Sequence, residues 1–189
     1  MYSIGEFSKL SGLSINTLRH YEAVRVLMPD KVNEITIKRV EPIMVVSTRR
    51  EIVKGAFQEE SKMWEIVDKF IKTNKVQQTI PCMALYHSGT WDWDATKKWD
   101  VEVAEPITKA VEGNDVVSVR ELPMTEKMAC IVHHGSLSNI GDTYKAIVQW
   151  IEQNNYSIAG PVREIYHVGE WAASNEEEYV TELQFPLDK

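Results

Sequence analysis

The sequence predicts an α+β fold: a short N-terminal helix-turn-helix segment, then a duplicated βαββ domain. That domain has one antiparallel sheet, both helices on one face, and a central ligand cleft. Three observations predict it. The apolar period is helical over residues 1–32 and changes to β alternation from Glu34. Two later stretches, "FQEESKMWEIVDKFIKTN" and "IGDTYKAIVQWIEQNN", carry helical stripes, and each lies between strand-like runs. The strands that close the two units read alike, "VEVAEPI" against "TELQFPL".

The elements follow in order. Ser3 is placed to cap a first helix, with Glu6 at capping-box spacing and Ile4, Phe7 and Leu10 on one side. Gly12 permits a turn, Ser14 caps a second helix, and Pro29 ends it. Ile15, Leu18, Tyr21 and Val24 face inward there, which leaves Thr17, Arg19 and His20 outward, where a recognition helix touches DNA. "EITIKRVEPIMVVSTRRE" reads as one or two strands. The helix after it buries Phe57, Met63 or Trp64, Val67, Phe70 and Ile71. "PCMALYHS" and "WDVEVAEPI" are strands. "VVSVRELPMTEKMACIVHH" is strand-like, and the second helix buries Ile140, Tyr144, Ile147 or Val148, and Ile151. "VREIYHVG" and "EYVTELQFPL" are the last strands. Two such units pair edge to edge, and a cleft between repeats is a common ligand site.

Composition narrows the function. The chain of 189 residues has a net charge of -7 and a pI near 5.3, against a dedicated nucleic-acid binder. No apolar run is long enough to span a membrane and no signal peptide opens the chain, so a cytoplasmic protein is expected. Cys82 and Cys130 are far apart and read as buried thiols. His133 and His134 are adjacent on a strand and point to opposite faces, so they do not chelate together. There is no metal triad, phosphate loop or nucleophile elbow, and neither metal nor cofactor is expected.

The candidate site is built on a carboxylate. Period-2 geometry places Val162, Glu164 and Tyr166 on one strand face, and Val162 marks that face as inward. A buried carboxylate must be satisfied by a partner, whether a neighbouring tyrosine or arginine or a bound cation. Tyr86 and His87 end a strand beside "WDWDATKKW", whose Trp91, Trp93 and Trp99 are candidates for an aromatic wall. Trp64 and Tyr144 lie on the two helices, from which their rings reach toward the cleft.

The opening "YSIGEFSKLSGLSINTLRHYEAVRVLMPDKVN" resembles the start of MerR-type transcription regulators. Residues 34–189 resemble the GyrI-like effector-binding domain, through "IKRVEPIMVVSTRR", "HHGSLSNIGDTYKAIVQWIEQN" and "GPVREIY…EEEYVTELQFPL". The resemblance implies a transcriptional sensor of hydrophobic, cationic or aromatic compounds, of multidrug type. Glu164 would lie at the base of the pocket, with Tyr179 as a pocket aromatic and Glu177 as a second acidic position. The wing and long coiled coil that follow the MerR head are absent, and residues 1–32 carry a net charge of only +1, so the implied grip on DNA is weak. The resemblance also implies an alternative, since some GyrI-like proteins hydrolyse cyclopropane-bearing toxins; Glu164 would then be the acid–base group. Sequestration of the compound is a further possibility. A third class, protein inhibitors that bind DNA gyrase, has no specific support in the residues.

Overall fold

The computed structural model describes residues 34–53, 57–79, 81–88 and 98–188. The helix-turn-helix reading of residues 1–32, with Thr17, Arg19 and His20, lies outside the described residues, as do Trp91 and Trp93. Residues 35–189 form one compact unit.

Its first strands are β1 (Thr36–Val40) and β2 (Ile43–Val53), followed by α1 (Phe57–Asn74), β3 (Cys82–Tyr86) and β4 (Lys98–Pro106). Then come β5 (Ser118–Leu122), β6 (Thr125–His134), α2 (Ile140–Gln153), β7 (Ser157–Ile158), β8 (Val162–Val168) and β9 (Val180–Asp188). The stretch "VVSVRELPMTEKMACIVHH" thus divides into two strands, because Pro123 has no N–H to donate to a ladder.

The strands form an antiparallel sheet in the order β1-β6-β9-β8-β3-β4-β2-β5, with β7 pairing β9 off the main path. Chain connectivity forces this sheet to curl. Only Glu41 and Pro42 separate β1 from β2, yet the two strands lie near opposite ends of the order. Likewise only Pro123 and Met124 separate β5 from β6. The ends must approach one another, and the sheet becomes a half-barrel with an inner and an outer face.

Both helices pack on the outer face. From α1, Met63, Val67, Phe70 and Ile71 are buried against Val46, Ala84, Val101 and Val103; Trp64 is only partly buried. The side chain of Phe57 is outside the described residues. From α2, Tyr144, Ile147 and Ile151 meet Ala129, Ile131, Val162, Leu183 and Phe185. The helices also stop in the same way. Lys75 (φ 50°) and Asn155 (φ 58°) adopt left-handed conformations. The next N–H then returns to the last turn, from Val76 to the Ile71 carbonyl at 3.0 Å and from Tyr156 to the Ile151 carbonyl at 3.1 Å.

The inner face has its own apolar floor, made by Val45, Met83, Leu85, Ala104, Leu122 and Ile165. Strand β9 is therefore buried on both sides over Val180–Leu187; Glu182 and Gln184 turn to the inner face, and Thr181 lies on the helix-covered face with Leu183 and Phe185. No helix among the described residues is long and apolar enough to cross a membrane.

Candidate functional site

At the middle of the sheet β8 pairs with β3, and Glu164 lies opposite Ala84. The alanine leaves room over the strand, and the Glu164 side chain projects to the helix-covered face. It is 7% exposed. Three tyrosines from three elements meet it. Tyr144 of α2 donates to Oε1 at 2.7 Å, and Tyr166 of β8 donates to Oε2 at 2.8 Å. The Tyr86 hydroxyl, at the end of β3, reaches both Glu164 and Tyr166.

Each ring is held by another aromatic. Trp64 meets Tyr166 edge-on at 6.2 Å between centroids, Trp99 meets Tyr86 at 5.7 Å, and Phe185 meets Tyr144 at 5.8 Å. The tyrosine hydroxyls are thereby aimed at the carboxylate, while π-faces and edges surround it.

The electrostatics of this cluster are unusual because every direct donor is neutral. Burial raises the Glu164 pKa, and the hydrogen bonds from Tyr144 and Tyr166, the nearby His133 and the Tyr86 hydroxyl oppose this only in part. His133 is itself fixed by Thr143 Oγ1 at 2.8 Å and by the Ser136 carbonyl at 3.1 Å, so it is a packed strand residue. Glu60, on α1 one turn before Trp64, adds a second acid. Burial and the neighbouring Glu164 push it up to about 7, against a hydrogen bond with Trp64. Tyr86 and Tyr166 are raised well above the usual range, first by burial and then by Glu164. Among the described residues the site therefore has two carboxyl groups and no basic side chain in hydrogen-bonding contact with Glu164, within an aromatic shell. Such a site attracts a cation that presents apolar surface and needs no hydrogen bonds.

The sequence candidates distribute unevenly around this point. Glu164, Tyr166, Tyr144 and Tyr86 come together, and Trp99 and Trp64 back them. Glu177 is exposed on a 3-10 turn (Glu176–Glu178) near Gly135. Tyr179 follows it half-buried, and its carbonyl accepts from the Gly135 N–H at 2.9 Å. Glu60 escaped the sequence reading, although its place four residues before Trp64 puts it above that ring on the same helical side. No group of residues suited to a metal occurs among the described residues.

A curled antiparallel sheet with an aromatic acidic cluster beneath two helices defines a small-molecule-binding module. The chain belongs to the GyrI-like family: residues 33–188 match its small-molecule-binding domain. No curated protein matches the chain. Among solved structures, the crystal structure of the EcmrR C-terminal domain is similar over 84% of this chain and 99% of that one, at 25% identity and a TM-score of 0.75. The EcmrR–DNA complex aligns over 91% of this chain at 23% identity and a TM-score of 0.74; this chain spans only 63% of that protein. A Listeria innocua hydrolase shares the fold at 12% identity, a TM-score of 0.60 and 89% and 98% coverage. So does SAV2435 bound to tetraphenylphosphonium, at 14% identity, a TM-score of 0.56 and 82% and 94% coverage.

Proposed function

We propose that the chain is the sensing part of a MerR-like regulator and binds lipophilic, aromatic organic cations over Glu164. The observation that carries this reading is a buried carboxylate whose bonded partners among the described residues are tyrosine hydroxyls and not cations. Its charge is oriented but not neutralised, so an incoming cation supplies the missing countercharge. The aromatic shell adds roughly 0.5–2 kcal/mol of cation–π attraction per ring. Pocket roles for Tyr166, Tyr144, Tyr86, Trp93, Trp99, Tyr179 and Glu177 belong to the same proposal. So do a cytoplasmic location, a DNA contact through Thr17, Arg19 and His20, and an origin by duplication. The last is supported by correspondences eighty residues apart: Trp64 and Tyr144, Tyr86 and Tyr166, His87 and His167, Glu102 and Glu182.

The test is a fluorescence titration with tetraphenylphosphonium, followed through the tryptophans, in the native chain and in Glu164→Gln. Saturable quenching that the variant loses supports the proposal; equal quenching in both overturns it. A second reading, hydrolysis of an electrophilic ligand, is favoured by the pairing of Glu60, at about 7, with Glu164, whose pKa is also raised by burial, since two neighbouring carboxyls of this kind are acid–base equipment. Mass analysis after incubation with a cyclopropane-bearing electrophile separates the readings: a gain of water marks a hydrolase, and unchanged mass marks a sensor.

A further inference from the structure

The inner face of the half-barrel carries a second charged cluster that the cation site does not use. Glu102 of β4 accepts from Arg120 through Nε at 3.1 Å and through Nη2, and its Oε2 lies 2.8 Å from His87 Nε2. Glu182 of β9 is bound by Lys38 of β1 and lies 3.2 Å from His167 Nε2. These two groups mirror each other: a carboxylate on the closing strand, a histidine after the central tyrosine, and a cation reaching in from an edge strand. Each carboxylate already has its cation.

Arg163 then remains over. It lies on β8 between these groups, opposite Leu85 on one side and Gln184 on the other, and is 4% exposed. Among the described residues neither its Nε nor its Nη1 has a hydrogen-bond partner, and Arg120, which repels it, and Glu102, which attracts it, act on it only through space. On the next strand the Gln184 Oε1 is also without a partner. Met83 stands eighty residues before Arg163, at the matching place on β3, where it is part of the apolar floor. The arginine is thus an exception to the mirrored pattern, and a costly one. A buried cation with no hydrogen-bonded countercharge is disfavoured against a packed apolar side chain.

We propose that this face is a second binding site, which takes a small oxyanion on the Arg163 guanidinium. Nε and Nη1 flank Nη2, so each edge of the guanidinium offers two parallel N–H donors, the fork that matches the oxygens of a carboxylate or a phosphate. Gln184 Oε1 accepts from a hydroxyl of the anion, which favours a hydrogenphosphate or a hydroxy acid over a bare halide. The two carboxylates exclude larger polyanions, because each is fixed beside the floor and repels excess negative charge. With Glu164 projecting from the opposite face of the same strand, the domain would join a cation site and an anion site back to back.

The experiment is titration calorimetry of the full chain with inorganic phosphate, acetate, glycolate and chloride, each at the same ionic strength. Saturable one-to-one binding of phosphate or glycolate, stronger than chloride by tenfold or more, is expected. Phosphate binding alone would assign a phosphate-bearing ligand, and glycolate binding alone a hydroxy acid. Arg163→Met, which restores the residue of the matching strand, should remain folded and weaken the bound anion at least tenfold. Arg163→Lys, which keeps the charge but not the fork, should weaken it nearly as much. Heats that do not saturate, or that chloride reproduces, overturn the proposal. So does unchanged anion binding in both variants. Because the readout is anion binding, this result stands apart from the tetraphenylphosphonium titration.

Discussion

Two carboxylates less than twenty residues apart, Glu164 and Glu182, are both almost completely buried, and they behave in opposite ways. Glu164 faces outward to the helices and is held by tyrosine hydroxyls; burial dominates and its pKa is raised. Glu182 faces inward and is held by Lys38 and His167; burial again opposes ionisation, but these partners outweigh it and bring the pKa to about 2. Glu102 repeats the inward case, lowered to about 2 by His87, Arg120 and Ser47 against its burial. Burial alone therefore does not mark a binding site. What distinguishes Glu164 is that its partners are neutral. A carboxylate already joined to a lysine has little to offer a ligand, whereas one joined only to hydroxyls still lacks a countercharge.

The largest expected effect tests that difference through binding. Glu164→Gln should weaken tetraphenylphosphonium by a hundredfold or more, about 3 kcal/mol, the scale of removing one partner of a buried charge pair. Glu182→Gln should leave its affinity within about twofold, on the scale of surface electrostatics at a distance. Equilibrium dialysis of the three proteins checks both.

Stability should respond in the reverse sense. Glu182→Gln removes the buried charge that Lys38 and His167 bind and should cost about 3 kcal/mol in urea unfolding. Glu164→Gln removes a desolvated charge and should be neutral or stabilising. Acid adds a check with a definite sign. The depressed pKa values of Glu102 and Glu182 provide stability that is present above about 4.5, their ordinary value. That stability is lost as pH falls toward about 2. Unfolding midpoints measured across that window should drop steeply in the native chain and less steeply in Glu182→Gln.

Much of this arrangement is legible in the sequence, and the rest is hidden for physical reasons. The element order, both helix stripes and the burial of Glu164 follow from periodicity, because Val162, Glu164 and Tyr166 share one face whatever the sheet does. Period alone leaves the direction of Glu182 open, since β9 is buried on both faces and alternation carries no contrast there. Nor does it reveal the inner cluster. Lys38 and Arg120 reach their carboxylates only because β1 and β5 cross to opposite ends of a curled sheet, a long-range pairing that no local pattern encodes. The signal available was the rhyme itself, "LYH" with "IYH" and "VEV" with "TEL", which repeats a histidine and a glutamate along with the apolar residues.

A smaller effect concerns Glu60. With its carboxyl at about 7, it is largely protonated at pH 5.5 and largely ionised at pH 8. Its raised pKa means that folding favours the protonated form, so its ionisation costs stability as pH rises through 7 but adds negative charge beside the site. Tetraphenylphosphonium affinity should therefore rise roughly tenfold from pH 5.5 to 8, about 1.4 kcal/mol for one more charge nearby. Glu60→Gln should flatten that rise. A rise of the same size in the variant would assign the titration to Glu164 alone.

The smallest effect separates orientation from charge. Tyr144→Phe keeps the ring against Phe185 and removes one hydroxyl from Glu164. A hydrogen bond to a charged group contributes about 1.5–3 kcal/mol, and the second donor, Tyr166, remains to hold the carboxylate. With one donor fewer, the anion is less favoured and the Glu164 pKa should move further up. At high pH, where the carboxyl is ionised in both proteins, affinity for the cation should change little, on the order of threefold. As pH falls and the carboxyl takes up its proton, the loss should grow. The pH midpoint of binding in Tyr144→Phe therefore reads the tyrosine's contribution directly. An upward shift means that the hydroxyl stabilises the anion for the ligand. A constant midpoint with uniformly weaker binding means that Tyr144 acts by shape alone.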